Sequence, residues 1–201
     1  AATMVKAGVY LAAAMAPAFA SVPLWRPVIA ILGAATMILG GWRALRQDDL
    51  KLLLAYGTVS QLGFIMLLVG LGTQAAAQAG LAMLLAHALF KATLFLSVGV
   101  IDHSTGTRDL TKLSGLVRRM PVLAVIAGLA AASMAGIPPL FGFLSKEAAL
   151  DALIKLLGSG GDGTGFLPAA AALLVAAVVV GSMLTVAYSL RWWWGAFGIR
   201  R

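Results

Sequence analysis

The chain has 201 residues, of which 61% are hydrophobic and only 11% are charged. A soluble domain of this size carries about 25% charged residues, so the composition excludes a soluble globular protein and predicts an integral membrane protein. The net charge of +8 is explained by basic cytoplasmic loops, and we expect no nucleic-acid partner. The absence of cysteine excludes thiolate metal sites, iron–sulfur clusters and disulfides.

The first apolar stretch, near residues 1–20, begins with neither an initiator methionine nor a signal-peptide pattern. We therefore expect an internal piece of a longer polypeptide, folded as a single transmembrane domain over 1–201. Lys6 lies within this stretch, where a functional and an interfacial position are equally open from the residues alone. The remaining apolar stretches, each near the length that crosses a bilayer, are 27–45, 52–72, 75–101, 119–136, 139–157 and 166–195.

The basic residues predict the orientation of these stretches. They cluster after the second and fourth stretches, whereas the loops at 72–74 and 158–165 carry no lysine or arginine. The positive-inside bias places the basic loops in the cytoplasm and the other two outside. An odd number of crossings must then lie between the loops at 102–118 and 158–165.

The stretches 119–136 and 139–157 therefore count together as one broken span. Their junction, Gly136-Ile137-Pro138-Pro139, favours a break, because each proline removes a backbone donor and clashes with the preceding turn. The sequence predicts an all-α polytopic bundle of about six spans, one of them broken at 136–139. Discontinuous helices of this kind mark ion sites in transporters.

Lys91 lies near the middle of the 75–101 stretch, with His87 four residues before it. This spacing puts both side chains on one helix face, about one turn apart. Snorkelling to the headgroups is the alternative, but about ten residues, or ~15 Å, separate Lys91 from the end of the stretch. Two titratable groups at membrane depth indicate a proton relay. A buried lysine can release its proton where an arginine cannot, and water with hydroxyls such as Ser60 and Thr93 could connect such lysines.

Lys146 and Glu147 follow the predicted break closely. Either they belong to an ion site at the discontinuous helix, or they form a membrane-surface ion pair at a helix start. Asp48 and Asp49 resemble a helix N-terminus, where acids favour the dipole. The run Trp192-Trp193-Trp194 is typical of an interfacial aromatic belt.

Cofactor chemistry finds little support in the residues. His87 and His103 would lie ~24 Å apart along one helix, too far to share a haem iron. The sequence shows no nucleophile–base triad. We expect no cofactor and no enzyme activity, and the sequence does not identify a sodium site.

Four runs, in this order along the chain, resemble the proton-translocating antiporter-like subunits shared by Mrp-type sodium/proton antiporters and respiratory complex I. The runs are Ala2-Thr3-Met4-Val5-Lys6 through Leu11, Asp49-Leu50-Lys51 through Gly63, His87 to Lys91, and Gly136-Ile137-Pro138-Pro139 through Lys146-Glu147. The loop Asp102-His103-Ser104-Thr105 to Asp109 further resembles the large A-type component of Mrp antiporters.

The resemblance implies inverted five-helix repeats with a polar lysine axis across the middle of the membrane. By motif, Lys6 matches an axis lysine near the end of the first repeat. His87 and Lys91 match the central pair of the second repeat, and Lys146 matches the lysine of its discontinuous helix. The glutamate–lysine pair of the first repeat would lie upstream of these residues. Met83, one turn before His87, stands where some relatives have histidine.

The sequence and the resemblance together predict a subunit of a multi-subunit cation/proton antiporter in a bacterial cell membrane. It would exchange cytoplasmic sodium for external protons, with other antiporter subunits as partners. The alternative is a proton-pumping membrane subunit of a complex I-like redox enzyme. A membrane scaffold without transport is a third class, and the lysines at membrane depth argue against it.

Overall fold

The computed structural model describes residues 4–19, 21–22, 24–158 and 168–199, and within them every regular element is a helix. In chain order the helices are α1 (Met4–Met15), α2 (Trp25–Leu45), α3 (Leu50–Leu71), α4 (Gln74–Thr105), α5 (Leu116–Arg119), α6 (Pro121–Ala135), α7 (Phe141–Gly158) and α8 (Pro168–Phe197). Nearly all of the predicted outside loop at 158–165 lies outside the described residues. The prediction of an all-α membrane bundle is confirmed.

Four segments are long and apolar enough to cross a membrane: α2, α3, α4 and residues Ala169–Phe197 of α8. The helices α1 and α6 are apolar but shorter. Every predicted apolar stretch corresponds to one helix, with ends that differ by a few residues. The predicted count of six crossings, with α6 and α7 sharing one, stays a prediction.

Local capping explains where the central helices begin and end. The Asp49 carboxylate accepts hydrogen bonds from the backbone N–H groups of Lys51 and Leu52, at 2.7 and 2.9 Å, and so caps α3. This confirms the helix start that the acidic pair predicted. Gly72 ends α3 with φ +67°, a left-handed conformation that glycine adopts without a steric cost.

Helices α2 and α3 approach each other closely through facing glycines. A methyl group at Gly33 would lie 2.5 Å from the Leu67 nitrogen, and one at Gly63 would lie 2.5 Å from the Met37 nitrogen. Small residues of this kind let membrane helices pack backbone to backbone. The packing holds α3 in the bundle, where it also contacts α1, α4 and α8.

Residues 136–140, between α6 and α7, are not helical. The N–H groups of Gly136 and Ile137 both donate to the Ala132 carbonyl at 3.0 Å, and Gly136 has φ +87°. Pro138 and Pro139 lie in the following turn with exposed side chains. After the turn, the Gly142 N–H donates to the Ser133 hydroxyl at 3.2 Å. The two helices therefore meet at a tight, glycine-lined junction.

A small set of contacts, here called the loop clasp, joins residues 48–50 to residues 108–110. The Leu50 N–H donates to the Arg108 carbonyl at 2.9 Å, and the Leu110 N–H donates to the Asp48 carbonyl at 2.7 Å. Arg108 also pairs with Asp49, at 3.6 Å between Nε and Oδ2. Within the second segment, the hydroxyl and N–H of Thr111 donate to the Asp109 carboxylate and lower its pKa.

The predicted tryptophan belt is wrong for the first of its three members. Trp192 is fully buried, because α8 packs against the bundle there. Trp193 turns to α6 and donates to the Ala124 carbonyl at 3.0 Å. Trp194 is exposed, as an interfacial residue would be.

Candidate functional site

Lys91 occupies the centre of the bundle with only 1% of its surface exposed. Its Nζ donates to the Leu54 carbonyl of α3 at 2.9 Å. Among the residues that the structure describes, no carboxylate lies within ion-pairing distance of it. Burial excludes the snorkelling alternative, since the side chain ends inside the protein.

The Leu54 carbonyl serves more than one side-chain donor. The hydroxyl of Thr58, one turn further along α3, also donates to it at 2.9 Å. A carbonyl oxygen has two lone pairs, so the Lys91 ammonium shares its acceptor. The Lys91 ammonium is therefore bonded to a neutral carbonyl that also accepts from Thr58.

The space for the ammonium is created by Gly57 and bounded by Tyr188 of α8. A methyl group at Gly57 would lie 3.0 Å from the Lys91 Nζ and 3.1 Å from Cε2 of Tyr188. The Nζ is 6.0 Å from the centroid of the Tyr188 ring, within the range of a cation–π contact. Three helices thus supply the surroundings of Lys91: α3, α4 and α8.

A buried polar cluster adjoins this ring. The Gln61 amide donates to the Thr185 hydroxyl at 3.0 Å and to the Tyr188 hydroxyl at 3.1 Å. The predicted supporting residue Ser60 is also buried and donates to the Met37 carbonyl at 2.7 Å. Its connection to the lysines by water stays a prediction. The cluster ties α3 to α8 beside Lys91.

His87 is fully buried, and its ring meets Phe90 edge to face at 5.5 Å. Neither ring nitrogen has a hydrogen-bond partner in the described part of the chain. Buried polar atoms of this kind are normally satisfied by protein groups or ordered water. Lys91 lies one turn from His87 on α4, and Lys6 is half-buried on α1. The structure therefore brings His87 and Lys91 together in the bundle, and no hydrogen bond among the described residues joins Lys6 to the His87 ring.

Lys146 reaches across the α6–α7 junction. Its Nζ donates to the carbonyls of Met134 and Ala135, at 3.1 and 2.9 Å, while its stem packs against Gly136. These carbonyls end α6, where the helix dipole favours a positive charge. Glu147 is exposed, and no ion pair joins it to Lys146 among the described residues. The surface-pair interpretation is therefore wrong: the two side chains diverge because they are neighbours on a helix.

Two side chains that do not titrate, Met83 and Ser145, lie between His87 and Lys146. Met83, one turn before His87, is buried, and the Ser145 hydroxyl contacts its sulfur at 3.3 Å. Ser145 precedes Lys146 in α7, so a thioether and a hydroxyl lie between the two ends. The Thr93 hydroxyl donates to the Leu89 carbonyl of its own helix at 3.0 Å, and its connection to the lysines by water stays a prediction.

The sequence interpretation missed four residues around Lys91: Leu54, Gly57, Gln61 and Tyr188. The role of Leu54 rests on a backbone carbonyl, for which the side-chain pattern carries no signal. Thr185 and Tyr188, three residues apart, form a polar pair on one face of an otherwise apolar span. That pairing is the signal that could have pointed to α8.

The sequence model of the transmembrane family described as "NADH:quinone oxidoreductase/Mrp antiporter, TM" matches residues 1–158. The chain therefore belongs to this family of antiporter-like membrane subunits. The A-type component of the Na(+)/H(+) antiporter of Alkalihalophilus pseudofirmus is 46% identical over 168 residues, which are 77% of this chain and 21% of the relative. The A/B-type component of the probable K(+)/H(+) antiporter of Rhizobium meliloti is 49% identical over 146 residues, 73% of this chain and 15% of the relative.

Two solved structures with similar folds support the same family assignment. The Mrp complex from a Dietzia species contains a chain that matches 97% of this one with a TM-score of 0.87 and 45% identity, and 21% of that chain is covered. Respiratory complex I from Thermus thermophilus, with bound NADH, matches 87% of this chain at a TM-score of 0.74 and 29% identity, with 34% of its chain covered. The predicted resemblance to the A-type component of Mrp antiporters is confirmed.

Proposed function

We propose that this chain forms the part of an antiporter subunit that conducts protons laterally through the membrane. The relay residues are Lys6, His87, Lys91 and Lys146. One observation carries the proposal: the Lys91 ammonium is buried in the bundle, bonded to a neutral carbonyl, with no carboxylate beside it in the described residues. A lysine held in this way can gain and lose a proton without leaving a fixed counter-charge behind.

His87 would pass the proton between Lys91 and the other lysines of the proposed relay. Its two ring nitrogens have no hydrogen-bond partner among the described residues, and Lys91 lies one turn away on the same helix. Imidazole can accept a proton at one nitrogen and release one from the other. Ordered water would satisfy the hydrogen-bonding groups of His87. Water would also carry the proton past Met83 and Ser145 to Lys146.

The names of the relatives support a proposal for the transported ion. The Alkalihalophilus relative is named as part of a Na(+)/H(+) antiporter, whereas the Rhizobium relative is named as part of a probable K(+)/H(+) antiporter. We infer that the complete protein exchanges cytoplasmic sodium for external protons in a bacterial cell membrane, assembled with other antiporter subunits. Potassium is the competing cation, and both are to be tried in the same assay.

The central test replaces Lys91 in the full-length subunit within the assembled complex. Lys91→Ala removes the titrating group and is expected to abolish sodium-dependent proton movement in vesicles. Lys91→Arg keeps the charge but holds its proton, so exchange is expected to fall by about 100-fold or more, the size of a lost proton-transfer group. Lys155→Arg, on an exposed lysine of α7, is the matched control. Normal exchange by an assembled Lys91→Arg complex would remove Lys91 from the proton path.

The likeness to complex I favours a second candidate, a proton-pumping subunit driven by quinone reduction elsewhere in its complex. The two functions differ in what drives proton movement. A sodium gradient alone should move protons through the purified complex if it is an antiporter. A requirement for NADH or a reduced quinone would instead support the redox-driven candidate.

A further inference from the structure

The ring of Tyr188 lies beside the Lys91 ammonium, with its centroid 6.0 Å from Nζ. The same Nζ donates to the Leu54 carbonyl. We propose that Tyr188 of α8 is a positioning residue, whose aromatic face keeps the Lys91 ammonium at the Leu54 carbonyl between proton transfers. The proposal rests on the lysine relay proposed above. It assigns to α8 the role of fixing the position of the Lys91 ammonium between proton transfers.

Both partners of the contact are fully enclosed. Tyr188 is 0% exposed and Lys91 is 1% exposed, so little water screens the attraction between the cation and the ring. A cation–π contact is strongest under such desolvation. The ammonium has three donors, and one of them is used by Leu54. The ring provides negative charge density without offering a carboxylate, which would hold the proton too tightly for a relay.

The hydroxyl of Tyr188 fixes the position of its ring. It accepts a hydrogen bond from the Gln61 amide at 3.1 Å and lies 3.4 Å from the Thr185 hydroxyl. Gln61 belongs to α3, the helix that also supplies the Leu54 carbonyl. The acceptor and the ring are therefore held by the same helix, and the ammonium lies where they converge.

Gly57 makes this convergence possible. A side chain there would crowd both the ammonium and the ring, with its Cβ 3.0 Å from Nζ and 3.1 Å from Cε2 of Tyr188. Such contacts are tighter than ordinary van der Waals packing, so the lysine or the ring would have to move. The proposed contact between Lys91 and Tyr188 therefore requires glycine at position 57 of α3.

The first experiment separates the ring from the hydroxyl. Tyr188→Leu should lower the maximal exchange rate by about tenfold, the effect of removing an aromatic face from a desolvated cation, and leave the half-saturating sodium concentration unchanged. Tyr188→Phe keeps the ring and should restore exchange to within about threefold of wild type. Phe197→Leu removes another fully buried ring of α8 and should leave the rate nearly unchanged.

Three results would overturn the proposal: normal exchange by Tyr188→Leu, an equal loss in Tyr188→Phe and Tyr188→Leu, or an equal loss in Phe197→Leu. The second would place the function in the hydroxyl, and the third would show a general packing effect. Lys91→Ala is measured in the same vesicles. If it exchanges normally, the relay itself fails; if it is inactive while Tyr188→Leu is normal, only the positioning role fails.

A second pair of variants disturbs the contact without deleting either partner. Gly57→Ala should reduce the maximal rate, whereas Gly99→Ala in α4, where an added methyl meets no atom within 4 Å, should not. Both changes raise helix propensity equally, so propensity cannot explain a difference. Equal rates in the two assembled complexes would contradict the proposed geometry.

Discussion

Each of the lysines Lys91 and Lys146 directs its ammonium to backbone carbonyls. Lys91 bonds to a carbonyl within α3, and Lys146 bonds to the last carbonyls of α6. A neutral acceptor stabilises the ammonium less than a carboxylate does, and it leaves no buried negative charge when the proton departs. At the scale of single residues, this arrangement supports the proposal that both lysines change charge during transport.

We predict that Lys146 has a structural role as well as a role in transport. Lys146→Met removes the donor to the carbonyls of Met134 and Ala135 and should destabilise the protein by about 1–3 kcal/mol, the cost of unsatisfied buried polar groups. Coupled exchange should be lost in the assembled complex. Thermal unfolding of the detergent-solubilised complex and vesicle exchange measure the two effects.

Lys155→Met is the control for this prediction. Lys155 is exposed and pairs with Asp151 one turn away on α7, and surface pairs of this kind contribute about 0–1 kcal/mol. Normal exchange by the Lys146→Met complex at wild-type abundance would show that Lys146 serves only the junction.

At this scale the sequence predicted the enclosed lysine and histidine but not their surroundings. The four-residue spacing and the apolar stretch suffice to place His87 and Lys91 together at depth, because both follow from helix geometry. Tyr188 lies on α8, far along the chain from Lys91, and spacing within a helix says nothing about a contact between helices. Such contacts depend on packing, which the pattern of one helix does not determine.

At the scale of elements, the α6–α7 junction depends on two glycines. Gly136 takes a left-handed conformation beside the Lys146 stem. A side chain at Gly142 would overlap the Ser133 carbonyl of the preceding helix. The proline pair indicated where the helix ends, whereas the close return of α7 onto α6 was not visible in the sequence.

We predict that Gly142→Ala prevents this close return. The added methyl must push α7 away from Ser133, and overpacking of this kind costs about 1–3 kcal/mol or more. The midpoint of thermal unfolding should fall, and exchange should fall with it because Lys146 is carried by the displaced helix. Gly158→Ala, at the open end of α7, should change neither. A Gly142→Ala complex of unchanged stability would show that the junction is looser than the geometry implies.

The prediction of an interfacial belt at Trp192-Trp193-Trp194 was wrong for Trp192 because it ignored the direction of each side chain around the helix. Three consecutive tryptophans suggested a belt, but successive residues of a helix point in directions about 100° apart. The three therefore face different surroundings: Trp192 is buried and Trp193 contacts α6, whereas Trp194 is exposed. Aromatic composition alone does not tell lipid-facing from packed positions.

At the scale of the whole molecule, the direction of each helix through the membrane is a prediction from charge. We expect Ser104, in the last turn of α4, to face the cytoplasm and Gly158, at the end of α7, to face outside. Both positions are exposed, so Ser104→Cys and Gly158→Cys should react with impermeant thiol reagents from opposite sides. Labelling from the same side would mean that α6 and α7 cross the membrane separately.

The loop clasp limits how α3 can move. Its backbone bonds to residues 108–110 hold the first residue of α3, Leu50, to the loop that follows α4, and Leu54 lies only ~6 Å further along the helix. We do not expect a helix held so near one end to slide along its neighbour. The height of the Leu54 carbonyl in the membrane should then stay constant during the proposed proton transfers. We therefore expect the moving parts of the cycle to be the flexible four-carbon stem of Lys91 and the water around it.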